Sequence, residues 1–256
     1  MNSKFLPAFV QDARLFNADL VAPVRERQAG LRQVLELCRN YRIAAIGQLL
    51  LLGDSAAFQL DLYKSGRAYL YFLVGANEAQ LITSRAVPFF DALGAKDFEG
   101  AREIARCARR TWAPGIEYEE DFLYMNFLMG HFFRDLSETE AAALLQRYER
   151  ALQGTEDVRL EVCHALLEQQ GEDFNSALDR MMAERDARQA RLREKGSLSE
   201  EEWATECQIS IEGLALVALA ERASLPVRSD YLFIPSLARD GERPGEPPEA
   251  WMDPEG

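Results

Sequence analysis

Apolar positions recur at three- and four-residue spacing along nearly the whole chain, the pattern of helices with one face turned to a core. Leu31, Val34, Leu35, Cys38, Ile43, Ile46, Leu49 and Leu50 keep that rhythm and predict a long helix ended by Gly53. Pro23 suits its first turn, and a helix over 7–20 precedes it. Asp54 or Ser55 is placed to cap the next helix, which carries Phe58, Leu62, Tyr69, Phe72 and Leu73. Further helices are expected at about 78–94, 97–110, 118–134, 138–153, 157–170, 172–195 and 199–223, about ten in all. Ser137-x-x-Glu140 and Ser199-x-x-Glu202 read as capping boxes, and each stands where a helix should begin.

Two segments are apolar on every face, 122–133 and 209–220, the latter interrupted only by Ser210 and Glu212. A helix of that kind belongs in the middle of a bundle. By contrast 184–195 is almost purely charged with alanines, which suits a solvent-facing helix end or a protruding arm. Strand signals are nearly absent; Tyr231-Leu232-Phe233-Ile234 is short and stopped by Pro235. The expected fold is all-α, a multi-helix bundle of stacked helical hairpins forming a single domain over 1–239. Residues 240–256 turn to Gly, Pro and Glu and predict an irregular tail, disordered or laid over the surface, with Trp251 as its anchor. Asp97-Phe98-x-x-Ala101 and Asp173-Phe174-x-x-Ala177 share a pattern that hints at repeated hairpins, each opened by a capping Asp.

Charge divides the chain unequally. Through position 110 fifteen Lys/Arg meet eleven Asp/Glu, a net of +4; from Thr111 onward fourteen meet thirty-one, a net of −17. A strongly acidic half repels nucleic acid and anionic membrane and attracts basic partners. The runs Ile43–Gly53 and Ala68–Ala76 fall well short of the roughly 20 apolar residues that a membrane span needs. Cys38, Cys107, Cys163 and Cys207 are widely separated in apolar helical contexts and read as free thiols of a reducing compartment. No secretory leader precedes them, so a cytoplasmic protein is expected.

The chemistry-bearing residues are few. His131 lies inside an apolar helix, and His164 follows Cys163 directly, where neighbouring side chains point about 100° apart. Zinc, nucleotide-binding and serine-hydrolase motifs are absent, so no cofactor or metal is expected. Arg102, Arg106, Arg109 and Arg110 follow the polar side of one helix without the interleaved aromatics that nucleic-acid binding favours. Carboxylates remain. Glu117, Glu119, Glu120 and Asp121 crowd the start of the 118–134 helix, and Glu200, Glu201 and Glu202 do the same at 199. Helix-dipole stabilisation accounts for part of this. Four acids in five residues exceed what it requires, and they suggest a partner-facing acidic patch, extended by Glu138 and Glu140. Glu212 is a lone carboxylate in an apolar helix; burial would be costly without a partner such as Arg39, Arg42 or Arg159, so a structural buried pair is expected.

Several strings in order resemble the Imm49 family of immunity proteins from bacterial polymorphic-toxin systems. They are Glu117-Tyr118-Glu119-Glu120-Asp121-Phe122, Arg159-Leu160-x-x-Cys163-x-Ala165-Leu166-Leu167, Phe174-x-x-Ala177-Leu178, Ile211-Glu212-Gly213-Leu214-Ala215-Leu216, Pro226-Val227 and Tyr231-x-x-x-Pro235. The likeness spans about 117–238. Ser210-Ile211-Glu212-Gly213 and the following Tyr-Pro element are also similar to PoNe-type DNase immunity proteins, although only Trp203 stands where an aromatic-rich segment would precede. The resemblance implies a cytoplasmic, non-enzymatic all-helical protein of interbacterial competition, including type VI secretion, that binds and occludes a cognate toxin. The acidic half adds that the toxin is basic, with a nuclease favoured. Two other readings stay open: a helical-repeat scaffold for another protein or peptide, and an enzyme built on Glu212 with an arginine.

Overall fold

The structure, a computed structural model, describes residues 3–254. Twelve α-helices and no strand form among them, and the chain is 69% helical, so the all-α expectation holds. Helices α1 (Leu6–Arg25), α2 (Leu31–Leu52) and α3 (Ser55–Gly75) make a triplet in which α2 packs on both neighbours. Early α1 meets late α2, because a Cβ on Gly47 would collide with Val10. The turn into α3 is local chemistry: Gly53 is left-handed at φ 66°, and Asp54 accepts a 2.9 Å hydrogen bond from the Ala57 amide.

Three helix boundaries differ from the pattern-based reading. Pro23 lies inside the last turn of α1 and does not open α2, which begins after Gly30. Its missing N–H weakens the helix there, and α1 ends two residues later. The span 78–94 is not one helix. Two 3-10 turns, Glu78–Gln80 and Thr83–Arg85, lead to α4 (Pro88–Gly94), with Pro88 in the first turn, where no N–H is needed. The span 199–223 splits into α10 (Glu200–Ala204) and α11 (Ile211–Arg222), because Ser210 caps a second start by accepting from the Gly213 amide.

Between these lie α5 (Phe98–Cys107), the hairpin α6 (Glu119–Phe133) with α7 (Glu138–Ala151), and the hairpin α8 (Val158–Leu167) with α9 (Gly171–Glu194). The short α12 (Ser236–Arg239) follows an isolated bridge between Tyr231 and Ile234. Every residue from Phe122 to Gly130 in α6 and from Gly213 to Ala220 in α11 is buried, as all-round apolarity predicts. Helix α4 wedges between α3 and α11, where Gly66 allows close approach: a Cβ there would sit 2.9 Å from that of Ala92. The two D-F-x-x-A strings are not equivalent, since Asp97 caps α5 whereas Asp173 lies within the first turn of α9 after the Gln170 cap. Cys38, Cys163 and Cys207 are buried free thiols, and Cys107 is part-buried. Among the described residues no helix is long and apolar enough to cross a membrane.

The C-terminal segment is laid over the surface of α1–α3, the second of its two expected arrangements. Trp251 is 1% exposed, and its carbonyl accepts from the Tyr41 hydroxyl at 2.5 Å. The Glu246 carbonyl accepts from Tyr63, that of Asp253 from Lys64, and that of Pro254 from Arg14. Arg14 also pairs with buried Asp61 at 3.2 Å. Burial nevertheless pushes the Asp61 carboxyl up to about 6, against the opposing charges of Arg14 and Lys64. A carboxyl raised in the folded state contributes stability that is present below its unfolded pKa and is lost as pH rises through the folded value. Stability should therefore fall between about pH 4 and pH 6 by up to about 3 kcal/mol from this group. Urea titrations across that range should show the slope in the wild type and its loss in Asp61→Asn; an unaltered slope would remove Asp61 as its source.

Candidate functional site

A groove of about 730 Å³ runs between α9 and the segment spanning α10 and the start of α11. The α9 wall follows from its sequence. Phe174, Ala177, Leu178, Met181 and Met182 bury one face; beyond them polar Arg185 and Gln189, then Leu192, continue that face. The charged stretch 184–195 is thus the solvent-facing end of α9, the first of its two expected arrangements, and is tied down along one side instead of protruding as a free arm. Arg193 stacks on the Trp203 ring at 3.8 Å, and Arg185 donates to the Glu206 carbonyl. Glu206, Cys207, Ser210 and Glu212 line the opposite side, while the first turns of α6 and α8 add Asp121, Asp157 and Arg159.

Arg159 organises that end. Its guanidinium bonds Asp157 at 2.7 Å and Asp121 at 2.8 Å, and lies 5.1 Å above the Tyr124 ring. Asp157 also caps α8 and accepts from the Tyr148 hydroxyl at 2.7 Å. Burial opposes charge on Asp157, yet the Arg159 contacts and the Tyr148 bond outweigh it and hold the carboxyl below its usual range. Glu206 bonds Arg39 at 2.8 Å and Arg42 at 3.3 Å. Arg42 in turn grips Asp91 through two 2.8 Å bonds, and Ser65 adds a third to the same carboxylate. A chain of ion pairs therefore ties the groove to the buried centre of α2–α4.

Glu212 departs from its expected pairing. Arg39 and Arg42 are committed to Glu201, Glu206 and Asp91, and Arg159 to Asp157 and Asp121. The carboxylate instead lines the groove with no ion pair among the described residues. Burial raises its pKa, against the nearby Tyr124 hydroxyl and the charges of Arg159 and Arg185. Burial likewise lowers the pKa of Arg185 and raises that of Cys207.

The expected acidic patch does not form as one surface. Glu117 is buried, accepting from the amides of Ser84 at 2.9 Å and Ala113 at 3.2 Å, so it fastens two loops and offers nothing to a partner. Glu119 pairs with Arg147 at 2.6 Å, and Asp121 with Arg159. Glu120 is part-buried beside them. Because Arg147 sits opposite Glu119, Glu140 and Glu138 stand seven and nine residues back along α7, roughly 10–14 Å away. Both are exposed, and Glu140 is bound to Ser137 in the capping box. Asp157, Arg185, Glu206 and Cys207 were not foreseen. Asp157 two residues before Arg159 carried a readable cap signal, and Ser210-x-x-Gly213 a second helix start; the convergence of these residues has no local signal.

His131 is part-buried and stacks on Phe127 at 5.4 Å, and burial lowers its pKa. His164 is half-exposed at a shallow depression with Glu161, Glu168 and Arg180. Among the described residues no group of three or more His, Cys, Asp or Glu could hold a metal ion.

The sequence profile of Immunity protein 49 matches residues 55–237. The chain belongs to the Immunity protein 49 family. The match begins at Ser55, far ahead of the strings that start at 117, and takes in α3–α11 and the start of α12 with the whole groove. Membership in this family assigns the chain an immunity function against a toxin. No curated protein and no solved structure matches it significantly.

Proposed function

We propose that this Immunity protein 49 member neutralises a cognate toxin by binding it directly, with the charged groove and its acidic rim covering the toxin's working surface. One observation carries the reading. Asp121, Arg159 and Glu212, from three strings far apart in the chain, meet at the same groove inside the family match. The excess of negative charge beyond position 110 favours a basic toxin, such as one that acts on nucleic acid in the cytoplasm. A polymorphic-toxin or type VI system is the setting that the family resemblance supports. The contact includes Glu119, Glu120 and Asp121, with Glu138 and Glu140 further along α7; Glu117 drops out because it is buried.

Co-purification with the inactivated toxin domain encoded beside it should yield a complex of fixed stoichiometry by light scattering. Converting Glu119, Glu120 and Asp121 to Lys should slow association about tenfold or more at low salt and flatten the salt dependence. Circular dichroism would verify that the variant folds. An unchanged rate and salt slope would place the contact elsewhere. The groove position of Glu212 gives one rival reading, an enzyme that disarms the toxin. Protection that titrates one molecule per toxin supports the inhibitor, whereas protection at a hundredth of that amount supports turnover.

A further inference from the structure

We propose that Glu212 is the seat for a cationic side chain, a lysine or arginine, that the toxin inserts into the groove between α9 and α11. This rests on the toxin-binding reading above and names the chemistry of its central contact. The carboxylate faces the groove without a cation of its own, and the arginines that could have reached it are engaged elsewhere. The Tyr124 hydroxyl lies beside it, 2% exposed and without a well-formed hydrogen bond. A buried hydroxyl and a part-buried carboxylate thus converge where the free protein supplies no full complement of partners, a state that partial desolvation makes costly unless something else completes it.

The surroundings favour a cation over an anion. The lining carries six carboxylates against the four guanidiniums of Arg159, Arg185, Arg188 and Arg191. Arg159 is saturated by its two aspartates. Arg185 is held by the Glu206 carbonyl and, with the Gln189 amide turned to present its oxygen, by that atom at 3.1 Å. An incoming anion would meet the Glu212 carboxylate. An incoming cation would meet a carboxylate that has no ion pair of its own and only the longer-range charges of Arg159 and Arg185, with the Tyr124 hydroxyl of α6 beside it and Asp157 nearby at the start of α8. A cavity of about 730 Å³ is ample for one long side chain and its backbone. Charge pairing in such a partly desolvated recess is strong, and it makes the site a hot spot of the interface.

Glu212→Gln keeps the shape and removes the charge. Its affinity for the inactivated toxin domain should fall roughly 30-fold or more. Its melting temperature should hold or rise, because a part-buried charge without an ion pair is lost; a structural ion pair would give the opposite result. A second measurement on the wild-type chain needs no variant. N-acetyl-arginine methylamide, titrated into protein labelled with ¹³C-Glu, should shift the Glu212 carboxyl resonance, whereas the citrulline analogue of equal shape should not. Wild-type affinity in Glu212→Gln, or equal shifts from the two probes, overturns the proposal while leaving toxin binding by the wild type intact. Should the wild type bind no toxin, the immunity mechanism fails separately, and the paired probes alone decide the role of Glu212.

Discussion

Asp91→Ala should destabilise the fold by about 3–5 kcal/mol, enough to leave a marginal domain largely unfolded. Asp91 is 0% exposed and, among the described residues, is the one carboxylate bonded to Nε and Nη2 of Arg42, with the Ser65 hydroxyl as a third donor at 2.5 Å. Removing it leaves a nearly buried guanidinium facing an apolar cavity, with only the more distant Glu206 contact at 3.3 Å. That penalty comes from the stranded charge, not from the worth of the pair, because assembling the pair also requires two desolvations. The double variant Asp91→Leu with Arg42→Met should therefore recover much of the loss. Urea unfolding followed by circular dichroism measures both. A loss below about 1 kcal/mol for Asp91→Ala would mean that water or Glu206 compensates the arginine, and that the network is less buried than described.

Trp251→Ala should cost about 3–5 kcal/mol, a core-sized effect from a residue five positions before the last. The indole is 1% exposed, its ring packs 5.1 Å from that of Tyr71, and its carbonyl anchors the Tyr41 hydroxyl. Losing the ring frees the segment that also satisfies Tyr63, Lys64 and Arg14. The effect should then exceed that of burial alone, and ending the chain at Asp240 should match it. Thermal melts of the two variants give the comparison. If both retain the wild-type melting temperature, the segment is a passive cover and α1–α3 are stable without it.

The site was less legible than the helices, and particular residues explain why. Glu117 and Glu120 look alike in sequence, three positions apart, yet one is consumed by the Ser84 and Ala113 amides and the other stays part-exposed in the first turn of α6. Nothing within a few residues of Glu117 announces that loop 83–85 will come to meet it. Glu212 was legible as an isolated carboxylate in an apolar helix. Its partner was not, because Arg39, Arg42 and Arg159 are all plausible until Glu206, Asp91 and Asp157 are seen to hold them. The break at 205–210 was hidden differently: Ser199 begins a sound capping box, and the periodic apolar run beyond it masks the second cap at Ser210.

By itself the sequence determined the all-helical class, most of the helices with the capping-box starts at Ser137 and Ser199, the two segments at the centre of the bundle, and the family resemblance that the profile match bears out. These depend on contacts three and four residues apart and on side chains that cap their own helix, so the information lies within one or two turns of chain. Only the tertiary structure decided which carboxylates are free. Ion pairing at a given charge depends on which distant element folds against it, as Arg39 with Glu206 and Arg159 with Asp121 illustrate. Coulomb energy falls with distance in space, regardless of separation along the chain.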